Sequence, residues 1–158
     1  MELKMNLRPA TNADAPDIKA IVFSVLREHG LQPCSASTDK DLDDIEVVYF
    51  GQQGFFAVLE EAGEIVATFG LMRVDEHTCE LRKMYMLPSQ RGRGLGKYLM
   101  DCALDKACQL GFRRIILETA SPLRTAIALY KKYGFKEYCP AHMSARCDQA
   151  FELYLGDC

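Results

Sequence analysis

The chain has 158 residues, 49% hydrophobic and 26% charged, with a formal net charge of -3; this fits one folded domain spanning residues 1–158 and excludes a disordered polymer or a globally basic nucleic-acid binder. Seven cysteines, an odd number without a CxxC pair, read as free thiols in a reducing compartment, and the three isolated histidines match no zinc-ligand spacing, so no metal is expected. No signal-peptide pattern opens the sequence and no stretch approaches the length of a membrane span, which makes the cytoplasm the default location.

"KMNLRPA" reads as a short strand stopped by Pro9, followed by a turn and a helix. On that helix Ile18, Ile21, Val22, Val25 and Leu26 share one side, and Gly30 ends it. Residues 31–44 are polar and acidic and read as a loop. "LDDIEVVYFG" fits either a short helix or an extended segment. Three strands then follow, Phe55 to Glu60, Glu64 to Arg73 and Thr78 to Leu87, joined by the turns "EAGE" and "VDEHT". In residues 95–110 the period changes to that of a helix, with Leu95, Leu99, Met100, Ala103, Leu104, Ala107 and Leu110 on one face and Gly111 as its stop. "RRIILET" is apolar enough for a central strand. "SPLRTAIALYKKYGF" is a further helix, with Ser121 as N-cap, Pro122 in the first turn and Gly134 as C-terminal cap. "FKEY" and "FELYL" close the chain as strands, giving a mixed α/β domain; the latter strand either extends a partner's sheet or packs internally.

The stretch "RGRGLG", residues 91–96, opens the helix over 95–110. A helix start presents unpaired N–H groups and the positive end of the helix dipole, a ready site for phosphate or diphosphate. Gly92, Gly94 and Gly96 let a diphosphate approach the backbone, and Arg91 and Arg93 add charge; the plainer alternative is a glycine-rich turn with solvated arginines. A P-loop is excluded because Tyr98 follows Lys97, and the dinucleotide fingerprint fails because its third glycine would fall on Lys97 or Leu99.

With "QRGRGLG" after a strand ending "MYMLP", this region resembles the acetyl-coenzyme A signature Q/R-x-x-G-x-G/A of the GCN5-related N-acetyltransferases, at Arg91, Gly94 and Gly96. "AIALYKKYGF" resembles the family's second landmark through Ala126, Leu129, Tyr130, Gly134 and Phe135, and the similarity extends over nearly the whole chain. The resemblance implies a mixed, mostly antiparallel sheet flanked by helices, with its fourth and fifth strands splayed. It implies acetyl-CoA as cofactor, its pantetheine arm along the backbone of Tyr85, Met86 and Leu87. The diphosphate would be held by the N–H groups of Arg91, Gly92, Arg93, Gly94, Leu95, Gly96 and Lys97. Ser121, Ala126 and Tyr130 are further cofactor contacts, although "ETASPLRTA" departs from the asparagine common there. Arg124 and Lys132 either approach the 3′-phosphate or are solvated.

Acetyl transfer from a thioester to an amine needs a neutral nitrogen, a donor for the developing oxyanion and a proton for the leaving thiolate. By resemblance Tyr130 supplies the proton; the alternative is a core tyrosine with a paired hydroxyl. Glu80 is the candidate base, or else a surface glutamate paired with Arg82 or Lys83. Strand alternation groups Glu80, Arg82, Met84 and Met86 on one side, and Leu81, Lys83, Tyr85 and Leu87 on the other. The backbone N–H near Met86 is the expected oxyanion donor.

Charge is uneven: residues 35–64 hold eight acids and one base, and residues 82–114 eight bases and two acids. The acidic excess would attract a cationic acceptor, a small amine or a peptide, between the first helix and the loop joining the last strands. Candidate lining residues there are Glu28, His29, Asp39, Tyr49, Tyr138 and His142. The alternative is a noncatalytic acyl-coenzyme A sensor with the same fold. No nucleic-acid or membrane partner is expected, and the resemblance allows a homodimer.

Overall fold

A computed structural model describes residues 5–156 and residue 158; the first residue of the expected strand "KMNLRPA" lies outside them. Seven strands form one sheet in the order β1-β2-β3-β4-β5-β7-β6. They are β1 (Met5–Pro9), β2 (Phe55–Glu61), β3 (Glu64–Arg73), β4 (Thr78–Met86), β5 (Arg114–Thr119), β6 (Lys136–Glu137) and β7 (Gln149–Tyr154). All neighbours are antiparallel except β4 and β5. β7 therefore packs inside the sheet, between β5 and β6, which settles the alternatives left open for "FELYL".

Strand alternation sorts the apolar residues into two cores. Ala57, Leu59, Ala67, Phe69, Leu71, Cys79 and Leu81 meet Leu99, Met100, Ala103 and Ala107 of α3 (Leu95–Gln109) and Ile127 and Tyr130 of α4 (Arg124–Lys132). Phe56 and Val58 on the other face meet Ile18, Val22 and Leu26 of α1 (Ala15–Glu28) and Ile45 of α2 (Ile45–Val48). The segment "LDDIEVVYFG" is thus helical, as successive short turns over Lys40–Asp43, Ile45–Val48 and Phe50–Gln52. Tyr49 lies flat enough on the sheet that a Cβ on Gly70 would come within 2.8 Å of its ring.

The three long helices stop in the same way. In α4, Phe135 N–H donates to Tyr130 O (3.0 Å) and Gly134 N–H to Lys131 O (3.1 Å), with Gly134 at φ 93°. This left-handed cap folds Phe135 back onto Tyr130, ring centroids 5.8 Å apart, so the "LYKKYGF" landmark is a helix stop that packs its own tyrosine. Gly30 and Gly111 end α1 and α3 by equivalent bonds.

Two expectations are corrected. Helix α4 begins at Arg124, not next to Ser121; the Ser121 hydroxyl is drawn off to Asp148, whose Oδ1 also accepts Ser121 N–H at 2.9 Å, so it caps nothing. Cys108, near the end of α3, is joined to Cys158, with Cα atoms 5.5 Å apart, leaving Cys34, Cys79, Cys102, Cys139 and Cys147 as thiols. Cysteine parity and spacing cannot register a tail that returns to a helix end 50 residues earlier. Among the described residues no helix is long and apolar enough to cross a membrane.

Candidate active site

β4 and β5 pair over three residues only, Thr78–Arg114, Cys79–Ile115 and Glu80–Ile116, and then part. The gap opens into a cavity of about 760 Å3, within the range of small-molecule sites. Its walls are β4 from Glu80 to Met86, the glycine turn, the ends of β5 and α1, α4, and the β6–β7 loop at Ser144, Arg146 and Cys147.

At one end, Gly92 and Gly94 adopt φ 79° and 77°, and Gly94 is the residue before α3. Arg91 N–H is bound to Pro88 O and Tyr98 N–H to Gly94 O. Between them, the N–H groups of residues 92–97 find no acceptor among the described residues. No atom lies within 4 Å of a Cβ built on Gly92 or Gly94, so the face above them is open. A run of free amides at the start of a helix of 15 residues fits a diphosphate. Of the residues expected to contact the cofactor, Arg91, Gly92, Gly94, Leu95, Gly96 and Ala126 line the cavity, but the Arg91 N–H is already taken by Pro88 O. The side chains of Arg93 and Lys97 turn away, Arg93 to Glu61 (3.0 Å) and Gln90, Lys97 to Asp101 (3.2 Å). Arg91 is held by Glu28 through two bonds of 2.5 and 2.7 Å. Ser121 is outside the cavity wall.

Along the middle, β4 departs from simple alternation. Thr68 pairs with Tyr85 but Gly70 pairs with Arg82, so Phe69 opposes both Lys83 and Met84, and Lys83 takes φ 55°. This bulge flips the strand. Glu80, Arg82 and Tyr85 therefore share the α1 face, whereas Leu81, Met84 and Met86 pack on the α3 face, correcting the grouping of Glu80 with Met84 and Met86. Leu87 N–H donates to Val66 O at 3.0 Å, which makes Met86 and Ala67 a non-hydrogen-bonded pair. The Met86 N–H therefore points away from β3, into the gap.

Tyr130 is 8% exposed, between Phe135 and Phe151, and its hydroxyl has no hydrogen-bond partner among the described residues. Burial, with Tyr85 and Cys147 nearby, raises its pKa well above that of a free phenol, so it is a neutral O–H donor. The Glu80 carboxyl is raised by burial, opposed by the Arg82 guanidinium, whose Nε lies 3.2 Å from Oε1, and reinforced by Glu118. Thr119 is 3% exposed, lines the same cavity, and its Oγ1 is also without a partner, a buried hydroxyl left for whatever fills the space.

On the acceptor side the acids expected to attract a cation are largely spent within the fold. Asp39 receives Arg146 (2.7 and 2.8 Å) and Lys83 (3.2 Å). Asp41 is bound by the Tyr49 hydroxyl and lies 3.2 Å from Lys83 Nζ, an ionic contact off the line of an N–H bond. Asp43 holds Lys19, Glu60 holds Arg8 and Glu61 holds Arg93. Tyr49 is wholly buried and belongs to the core. Of the six expected lining residues only His29 is on the cavity wall, while Tyr138 stacks on Arg114, 5.2 Å from its guanidinium. Sequence reading missed Lys83, Arg146, Glu118, Thr119 and Cys147; the lone lysine on an otherwise half-apolar strand was the one local signal.

Residues 23–135 match the family model described as the acetyltransferase (GNAT) family. The uncharacterized N-acetyltransferase YjgM of Escherichia coli strain K12 is 35% identical over 157 residues, 93% of this chain and 94% of that protein. A GNAT-family acetyltransferase from Staphylococcus aureus Mu50 superposes with a TM-score of 0.86 at 22% identity, over 96% of this chain and 99% of that one. The structure of yncA from Salmonella typhimurium with its cofactor acetyl-CoA gives 0.74 at 21% identity, over 96% and 94%. With its model match covering most of the sequence and the splayed sheet in place, the chain belongs to the acetyltransferase (GNAT) family.

Proposed function

We propose that the protein transfers an acetyl group from acetyl-CoA to a primary amine of a small molecule or peptide, by direct attack with both molecules bound. The observation that carries the reading is one continuous cavity joining the free amides of residues 92–97 to Glu80, the Met86 N–H and the Tyr130 hydroxyl. Bound acetyl-CoA supplies an activated thioester. The glycine-turn amides would hold its diphosphate, and the backbone of Tyr85 to Leu87, on the open edge of β4, would pair with its pantetheine arm. Glu80, whose affinity for a proton is raised by burial, takes one from the incoming ammonium. The Met86 N–H donates to the carbonyl oxygen as it gains charge, a contact that side-chain substitution leaves intact. Tyr130 holds its proton at Oη for the departing sulfur.

The test is acetylation of a panel of primary amines with acetyl-CoA, followed by release of free thiol. Transfer to at least one amine is expected. Tight acetyl-CoA binding with no transfer to any amine would refute the reading and leave an acyl-coenzyme A sensor.

A further inference from the structure

The charges on the acceptor side of the cavity are unequal once each contact is followed. Arg82 gives Nε to Glu80 (3.2 Å) and Nη2 to Thr38 O (2.9 Å). Lys83 lies between Asp39 and Asp41, 3.2 Å from each, and Arg146 is doubly bound to Asp39. His29 commits Nδ1 to Val25 O at 2.9 Å. Of the other cations on the cavity wall, Arg91 is held by Glu28, and Lys132 stands on α4, whose Leu129 packs near Gly96 at the diphosphate end.

Glu118 differs from every one of these groups. It lies on β5 two residues past Ile116, the partner of Glu80, and therefore on the same sheet face as Glu80. Its Oε1 accepts only the Ser144 N–H (2.8 Å), and among the described residues no cation comes within 4 Å of it. Three cations, Arg82, Lys83 and Arg146, thus face four carboxylates, Asp39, Asp41, Glu80 and Glu118. Among these seven groups Glu118 is the carboxylate that has no cation in contact.

We propose that Glu118 is the residue that selects the acceptor, and that the acceptor is an aliphatic diamine carrying no carboxylate next to either nitrogen. This rests on the acetyltransferase reading for the role of Glu80. The attacking nitrogen passes its proton to Glu80 and makes no ion pair with Glu118, so a single amine leaves Glu118 without a cation in contact. A second ammonium on Glu118 balances it while the first nitrogen, relieved of its proton by Glu80, faces the thioester. A carboxylate on the same molecule would meet Glu80 and Glu118 with every acceptor-side cation already engaged, and like charges brought together in a half-buried site are strongly disfavoured.

Cadaverine and L-lysine differ by that carboxylate alone. The experiment titrates each calorimetrically into the protein saturated with coenzyme A, which has no acyl group to transfer, for the wild type and for Glu118→Gln. Gln keeps a carbonyl oxygen for the Ser144 N–H, and the lysine comparison needs no variant at all. Cadaverine is expected to bind the wild type at least tenfold more tightly than lysine, and Glu118→Gln to weaken cadaverine by about tenfold or more, the range of a charged hydrogen bond, with coenzyme A affinity unchanged. A cadaverine preference below tenfold, or a Gln variant that binds cadaverine as the wild type does, overturns the proposal. Acetyl transfer to cadaverine is measured alongside. Absence of transfer with the binding pattern intact would remove the enzymatic reading and keep the diamine site, whereas transfer without discrimination would do the reverse.

Discussion

Lys83 is the residue whose loss the fold is least able to absorb. Its side chain is 3% exposed and those of Asp39 and Asp41 are 0% and 4%, so no water can take over the contacts if the ammonium is removed. Burial, with Arg82 beside it, lowers the Lys83 pKa, and Asp41 and Asp39 oppose that. The cluster is therefore not a large source of stability compared with apolar packing, but each member is required by the others. Lys83→Met leaves Asp39 with Arg146 and the Cys34 N–H, and Asp41 with the Tyr49 hydroxyl and an Arg82 nitrogen 3.9 Å away. Breaking a buried pair on one side costs about 3–5 kcal/mol. At roughly 2–4 °C per kcal/mol for a domain of this size, the melting temperature should fall by about 6–20 °C. Lys83→Gly serves as the control. It removes the same charge but accepts φ 55° freely, so it should be more stable than the Met variant by about 1 kcal/mol. Urea unfolding at neutral pH, followed by far-ultraviolet circular dichroism, reads both. A Met variant within 1 kcal/mol of the wild type would refute the claim that the bulge is held by this charge cluster.

Tyr130→Phe should reduce kcat about 100-fold or more while leaving the acetyl-CoA dissociation constant within twofold, the signature of a lost proton donor; equal turnover under conditions where chemistry limits the rate would remove Tyr130 from that role. Gly94→Val should weaken acetyl-CoA binding at least tenfold, since a branched side chain is strained at φ 77° and stands over the free amides, and unchanged affinity by titration would argue against backbone contact there. Stability should depend on pH through Asp39. Burial raises its pKa, but the Arg146 hydrogen bonds, the Cys34 N–H and Lys83 outweigh this and bring it down to about 2, below its value of 3.8 in the unfolded chain. The stabilisation, about 2 kcal/mol, is present above pH 4 and fades as the pH falls through 3.8 towards 2. In urea unfolding the gap between wild type and Asp39→Asn should narrow by about 1 kcal/mol from pH 5 to pH 3, and a constant gap would contradict the assignment.

The parts of the site written in contiguous residues were legible before the structure. The amides of 91–97 and the tyrosine before Gly134 depend on helix-start and helix-stop patterns, which are local and carry their own residue preferences. The bulge at Lys83 was not legible, because alternation has no signal for one extra residue, and that slip moved Tyr85 to the α1 face and Met84 and Met86 off the face of Glu80. Charge counting failed for a related reason. The acidic stretch 35–64 is neutralised by partners as distant as Arg146, 107 residues from Asp39, and only tertiary structure reveals which carboxylate is left over. Ser121 had the composition of a cap, but Asp148 competes for its hydroxyl from a loop that local sequence cannot bring near.

The position of β7 has a consequence for biosynthesis. β5 is synthesised with an open outer edge, and the strand that closes it, residues 149–154, follows it by some 30 residues and after α4. Until then Tyr130 lacks Phe151 on one side of its ring. A chain that stops short of residue 149 has the first four strands and the glycine turn, yet no floor beneath Tyr130. The sheet is thus filled out of chain order, and the wall behind Tyr130 is complete only once β7 has taken its place between β5 and β6.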